Sequence, residues 1–295
     1  MERTSAGRCR LLALDVDGTV TTSRHDISPA TVAAIRRVRA AGIVVVLATG
    51  RRYRDVLEVA RRLEVDAPLV TASGALVKRP SDHATLLRAE FAEGVLEGVL
   101  QAIVAAGHEP VVYTDSFALG YDFHCRPAAG SAAAPAGERA ATSGLAEYLE
   151  KNRDLANVIP DLHRAVPAGA FAGFTMGGRD EMAALEESLH AAFPGRLALH
   201  TIRSPRYRDW MCELAPAGVT KWSGIRRLAE GWGITPAEIC AVGDDVNDLP
   251  MVEAAGLGIA MGNARPELLA AADRVVGTSD EDGLVEVAEI VIGSA

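Results

Sequence analysis

The sequence predicts an α/β protein: a doubly wound parallel sheet interrupted by an inserted α+β unit. Three observations predict it. Short apolar runs at residues 11–14, 43–48, 69–71 and 239–242 read as buried parallel strands, each left through a polar turn. Helix-period segments separate them, and strand–helix–strand order argues for right-handed crossovers. The chain has 295 residues, more than one core usually organises, and the pattern changes near residue 85 and resumes after 214. The reading is a discontinuous core at 1–84 and 212–295 with an insertion at 85–211.

In the first half of the core, Ser28 is a candidate N-cap and Pro29 a candidate first helical residue. The helix over 31–41 places Val32, Ile35 and Val38 at helical spacing, and Gly42 closes it. Residues 53–63 form the second helix, and 74–78 a short hairpin arm. In the insertion, strands are expected at 86–91, 110–113, 171–176, 197–202 and 210–214, with helices at 92–106 and 179–193. Residues 128–141, rich in Ala, Gly and Pro, read as a loop or flexible connection. In the second half, helices are expected at 219–230, 250–255, 266–272 and 283–292, with strands at 239–242, 258–261 and 274–276. No internal repeat is visible.

Composition narrows the function classes. A net charge of −9 and a sequence pI near 5.3 argue against a nucleic-acid polymer as partner. Cysteines 9, 125, 212 and 240 form no CxxC pair, so inert thiols in a reducing compartment are expected. No stretch approaches the roughly 20 apolar residues of a membrane span. The run after Arg3, Arg8 and Arg10 is broken by Asp15 and Asp17, too soon for a signal peptide. A cytoplasmic protein with no membrane partner is expected; the oligomeric state is not legible.

The polar strand ends carry the chemistry. In LLALDVDGT, Asp15 and Asp17 face the same crevice beyond a strand's carboxyl end, where open α/β sheets bind ligands. Paired carboxylates need a cation or a proton, and oxygen-only ligation suits Mg²⁺ alongside a substrate phosphate. Asp15 is the candidate nucleophile, since a carboxylate can form an aspartyl-phosphate. Asp17 is the candidate general acid and base. Gly18 lets backbone amides approach phosphate oxygens. Thr19 reads as a structural residue of the turn, bonding backbone. Thr49 and Gly50, at the second strand end, are candidate phosphate contacts, with a helix N-cap as Thr49's plainer reading. In GDDVND, Asp244 is the candidate Mg²⁺ ligand and Asn247 a candidate phosphate donor. Asp248 would hold a metal-bound water or orient Lys221, and Asp245 supports the cluster. Taken singly, each has a bland alternative: an Asp-Gly turn, a helix cap, a solvated lysine.

DVDGT, a Thr after a hydrophobic strand, the lone Lys221 of VTKWSG and GDDVND resemble, in that order, the four motifs of the haloacid dehalogenase (HAD) superfamily of phosphatases. The arrangement is similar to that of the Cof-like hydrolases, whose α/β cap lies between the second and third motifs. The resemblance implies a Rossmann-like core, Mg²⁺ as cofactor and a small phosphorylated metabolite as substrate. It implies the nucleophile and acid–base roles for Asp15 and Asp17, with Asp17 ligating metal through its backbone carbonyl beside Asp15 and Asp244. It also makes Lys221 the residue bridging nucleophile and phosphate, stabilising charge. One departure is Ser73-Gly74-Ala75, where these proteins often carry Asn-Gly-Ala; Gly262-Asn263-Ala264 matches a family feature and reads as a supporting loop.

The cap is expected to select the substrate, through residues 115–126 and 203–210. Arg203, Arg206 and Arg208 beside Tyr207 and Trp210 could bind an anion or stack a base, or form a solvated strand face. His124 and Cys125 lack a third soft ligand at metal spacing. The reading is a Mg²⁺-dependent phosphomonoesterase acting on sugar phosphates, nucleotides or phosphorylated cofactors. Its rivals are a phosphomutase or dedicated sugar-phosphate phosphatase on the same framework, a phospho-accepting signalling module, and a non-catalytic sugar-phosphate binder.

Overall fold

The computed structural model describes residues 8–127, 142–204 and 206–293, so the loop expected at 128–141 lies outside the described residues. The chain divides into two units, Met1–Leu87 with Thr220–Ala295, and Arg88–Val219.

The first unit begins with β1 (Leu11–Leu14), α1 (Pro29–Ala40), β2 (Val44–Leu47), α2 (Tyr53–Arg62), β3 (Leu69–Thr71), β4 (Leu76–Lys78) and β5 (Thr85–Arg88). The insertion carries α3 (Val95–Ala105), β6 (Val111–Thr114), β7 (Phe123–Cys125), α4 (Ser143–Lys151), β8 (Ala156–Val158), β9 (Ala170–Gly177), α5 (Arg179–Ala192), β10 (Leu197–Arg203) and β11 (Trp210–Pro216). The first unit then resumes with α6 (Lys221–Gly231), β12 (Ile239–Gly243), α7 (Leu249–Ala254), β13 (Leu257–Ala260), α8 (Pro266–Ala271), β14 (Arg274–Val275) and α9 (Leu284–Gly293).

A parallel five-stranded sheet, in the order β14-β13-β12-β1-β2, forms the centre of the first unit. All four residues of β1 are fully buried. Leu11 and Ala13 pack with Ile225, Leu228, Met251 and Val252 from α6 and α7. Leu12 and Leu14 alternate with them, and their burial means the opposite face is covered too. Each such leucine contributes roughly 1.5–3 kcal/mol. The chain leaves β1 toward β2 and returns on β1's other side as β12. The loops beyond these two strands therefore diverge and open a crevice at their carboxyl ends. The first helix starts as expected, with Ser28 Oγ accepting from Thr31 N at 2.9 Å and Pro29 in its first turn.

The third strand departs from expectation. β3 meets the chain just beyond β2 at an isolated bridge, Ala48 to Val70, and joins β4 and β5 in a separate three-stranded sheet. Between β3 and β4, Ala72 and Ser73 take left-handed backbone (φ 47° and 54°), and Gly74 has φ 103°. A Cβ on Gly74 would lie 2.0 Å from the carbonyl oxygen of Thr220, the residue that caps α6. Gly74→Ala is therefore expected to cost about 1–3 kcal/mol in urea unfolding, the range for overpacked sites, and to displace the start of α6. An unchanged midpoint would show that the α6 start yields freely.

The second unit holds a six-stranded sheet, β10-β11-β9-β6-β7-β8. Helices α3 and α5 bury Leu100, Ile103, Met182 and Leu189 with Val112 and Leu214 of its strands. Its end differs from the sequence expectation. Residue 212 lies inside β11, which pairs with β10 and β9, so the chain returns to the first unit only at Thr220. Among the described residues, no helix is long and apolar enough to cross a membrane, and the four cysteines are unpaired and buried.

Candidate active site

The candidate residues sit where β1, β2 and β12 end. Register fixes the arrangement: Leu14 pairs with Val242 on one side and Leu47 on the other, so Asp15, Gly243 and Ala48 emerge side by side. Asp15 N donates to Val242 O at 3.0 Å, tying the first acid to the strand that leads to Asp244.

Lys221 is the cation of the site. It is the first residue of α6, held by a capping box in which Thr220 Oγ1 accepts from Ser223 N and Ser223 Oγ accepts from Thr220 N. A cation at a helix N-terminus opposes the helix dipole. Acids on two other elements offset that. Lys221 Nζ donates to Asp15 Oδ1 and Asp248 Oδ1, each at 2.6 Å, and to Asn247 Oδ1 at 3.1 Å. Lys221, Asp15 and Asp248 are 2%, 4% and 0% exposed, respectively, so water does not screen these pairs. Burial pulls the lysine down, but Asp15 and Asp248 outweigh it and hold the ammonium above its ordinary range.

Asp15, Asp244 and Asp248 each bring a carboxylate oxygen within 4.8 Å of the others. Burial, opposed by Lys221 and reinforced by Asp248 and Asp17, pushes Asp15 up to about 7. Burial, with repulsion from Asp15 and Asp248, pushes Asp244 up to about 9. Three acids gather around one lysine that contacts two of them, and their raised values mark a cluster that a proton or a further cation would relieve. The all-oxygen donor set fits a hard divalent ion. Gly18, at φ 78°, makes room for Asp244: a Cβ there would lie 2.2 Å from Asp244 Oδ2.

The structure gives several candidate residues partners that the sequence did not name, and it pairs Asp248 with Lys221. Asp17's carboxylate lies outside the acid cluster and accepts from Arg51, through Nε at 2.8 Å and Nη2 at 2.6 Å. Thr19 Oγ1 reaches Asp244 Oδ1 at 3.4 Å instead of bonding backbone; Thr21 makes the backbone bond, to Val16 O. Thr49 is not an N-cap, because α2 begins four residues later behind Arg52; its hydroxyl accepts from Arg51 N at 3.1 Å. Gly50 lies in the same loop. Asp248 orients Lys221 with one oxygen and accepts from Asp244 N and Asp245 N with the other. Asp245 caps the turn over Val246–Asp248 by accepting from Val246 N, and faces Arg265 at 3.6 Å. Asn247 directs its carbonyl oxygen to Lys221. Asn263 of the supporting loop donates to Gly18 O and Asp244 Oδ2 while accepting from Ser279 N. Sequence reasoning named Asn263 only as part of a supporting loop and gave Arg51 no role; the available signal for Arg51 was its place in a polar loop after an apolar strand.

In the second unit the aromatic residues beside the arginines are engaged within the unit. Arg179 lies over the Trp210 ring, Tyr207 OH accepts from Asn152, and the Tyr207 ring meets Tyr148 edge-on. Arg208 N donates to Glu147. His124 is buried and bonds Thr114 and Asn157.

The chain is similar to known proteins over nearly its whole length. It is 27% identical to Phosphatase YwpJ of Bacillus subtilis, covering 94% of this chain and 98% of that protein. It is 26% identical to the pyridoxal phosphate phosphatase YbhA of Escherichia coli, covering 94% and 96%. A crystal structure of a haloacid dehalogenase-like hydrolase from Bacteroides thetaiotaomicron shares the fold, with a TM-score of 0.77, 23% identity and coverage of 96% of this chain and 100% of that one. The family model of haloacid dehalogenase-like hydrolases matches residues 12–287, and the chain belongs to that family.

Proposed function

We propose that this hydrolase is a Mg²⁺-dependent phosphatase that cleaves phosphomonoesters of small metabolites through an aspartyl-phosphate on Asp15. The observation that carries the reading is the buried contact of Lys221 Nζ with both Asp15 and Asp248, beside the excess carboxylates of the cluster. A lone buried acid would simply take up a proton. Here the lysine opposes that protonation and aims one of Asp15's oxygens. Asp15 attacks phosphorus in line, the ester P–O bond breaks, and the leaving oxygen takes a proton from Asp17. Water then attacks phosphorus, gives its proton to Asp17, and the bond from phosphorus to Asp15 breaks, releasing phosphate. Lys221, Thr49, Gly18, Gly50 and Asn247 receive phosphoryl oxygens in this reading, as positioning and charge-stabilising groups. Asp15, Asp244 and the backbone carbonyl of Asp17 would hold Mg²⁺, with Asp248 and Asp245 in support. When bound, the ion neutralises charge on the phosphoryl oxygens. Pyridoxal phosphate, the substrate in the name of one relative, belongs to the proposed class of phosphorylated cofactors and sugars.

The test is a panel of phosphate esters assayed with Mg²⁺ and with EDTA, beside Asp244→Asn. Turnover is expected with Mg²⁺ and its loss with EDTA. Mg²⁺ is also expected to raise the Tm of the wild-type protein and not that of Asp244→Asn. Without metal the variant is expected to be the more stable protein. Asp244 is pushed up to about 9 in the folded chain, whereas the unfolded chain titrates it near its ordinary value of about 3.9. The folded state thus binds the extra proton. Its contribution is complete below about pH 4 and lost as pH rises through about 9, a decline that Asn removes. Equal turnover in Mg²⁺ and EDTA would overturn the metal assignment; hydrolysis of no ester would overturn the activity.

A further inference from the structure

Arg51 is paired with the candidate acid–base and has no part in the chemistry above. Its guanidinium grips Asp17 in a fork, Nε to Oδ2 at 2.8 Å and Nη2 to Oδ1 at 2.6 Å. The two side chains are only 11% and 17% exposed. Both ends of the clamp are anchored. Arg51 N donates to Thr49 Oγ1 at 3.1 Å, and Arg51 O accepts from Ala72 N at 2.9 Å. The turn under Asp17 is closed by Val20 N and Thr21 N, both donating to Val16 O. The contact therefore joins two stiff backbones through a planar group that matches a carboxylate at both oxygens.

We propose that Arg51 is a positioning residue whose fork fixes the plane of the Asp17 carboxyl group for proton transfer. This deepens the phosphatase reading and rests on it. In the first half-reaction, Asp15 bonds to phosphorus, the ester P–O bond breaks, and its electron pair takes a proton from Asp17. In the second, water bonds to phosphorus, its proton passes to Asp17, and the Asp15–phosphorus bond breaks with its pair returning to Asp15. Both transfers need the same carboxyl oxygen aimed at a reacting oxygen, and a free aspartate rotates about two single bonds. A two-point clamp removes that rotation, whereas a single ammonium would restrain only one oxygen.

Leaving-group dependence separates this role from a structural one. A p-nitrophenolate leaves without a proton; an alkoxide does not. The best alkyl phosphate of the panel and p-nitrophenyl phosphate would be compared in wild type, Arg51→Gln, Arg51→Lys, Asp17→Asn and the double variant Asp17→Asn/Arg51→Gln. For Arg51→Gln, kcat/KM is expected to fall about 100-fold on the alkyl ester and less than about threefold on the aryl ester, the low end of a general acid's contribution. Arg51→Lys should recover only part of the alkyl loss. Adding Arg51→Gln to Asp17→Asn should change the alkyl kcat/KM by less than about threefold, since the clamp then has no acid to aim. Equal losses on the two esters, full recovery by lysine, or additive losses in the double variant would each overturn the clamp. If wild type hydrolyses neither ester, the phosphatase reading falls and takes the clamp with it. If it hydrolyses both, dependent on Asp15, and the variants lose both alike, the clamp alone falls.

Discussion

Asp15→Asn is expected to fold and to release no phosphate. Asparagine has the shape of aspartate, and its amide oxygen can still accept from Lys221 Nζ, which stands 2.6 Å from Asp15 Oδ1. What it lacks is a charged oxygen able to form a bond to phosphorus and later leave as a carboxylate. Removing a nucleophile costs at least about 10³-fold in turnover when the remaining groups only bind and orient. Phosphate release measures the loss. An acid-quench experiment measures its cause: wild type should trap a phosphoprotein in the first turnover, and the variant none. A variant within about tenfold of wild type would transfer the nucleophile's role to another group.

Lys221→Met is expected to be among the most damaging single changes for stability. The lysine is 2% exposed and neutralises Asp15 and Asp248, themselves 4% and 0% exposed. Methionine fills the volume and leaves both acids without their cation. Removing one partner of a buried ion pair costs about 3–5 kcal/mol, because the other charge stays desolvated. The loss should depend on pH. Burial already pushes Asp15 up to about 7 with the lysine present, and without the lysine it rises further. Below that range the acid is neutral and the missing cation matters less; above it the folded state must hold a bare charge. Urea unfolding in EDTA at about pH 5.5 and about pH 8 should therefore show the larger loss at the higher pH. Mg²⁺ should restore part of it. Turnover should fall about 10²-fold or more, as for loss of a charge-stabilising group in a dry site. Equal stability to wild type at both pH values would mean that these carboxylates do not rely on Lys221.

Legibility in the sequence followed how local each signal was. The strands of the central sheet could be read because they are buried on both faces and so are almost continuously apolar, as in LLAL, VVVL and ICAVG. The start of α1 could be read because Ser-Pro acts within a few residues. The elements that were missed, β7, α4 and β8, are short, and β7 and β8 are three residues each, below the length at which period can be judged. The return at Thr220 was misplaced because β11 ends in apolar residues that look alike in either unit; only its pairing with β9 and β10 assigns it. In the site, motif order singled out Asp15, Asp17, Lys221, Asp244, Asn247 and Asp248. It could not say which side chain each would meet.

By itself, the sequence determined where the buried strands run and which polar, oxygen-bearing residues stand at their ends, since each depends on neighbours along the chain. Tertiary structure alone decided that Lys221 meets Asp15 across 206 residues of chain, that Asp248 and not the Asp17 carboxylate completes the acid cluster, and that Asp17 is held by Arg51. The reason is physical: periodicity reports which face a residue occupies, whereas its partner depends on strand register and helix placement, which are set by long-range pairing.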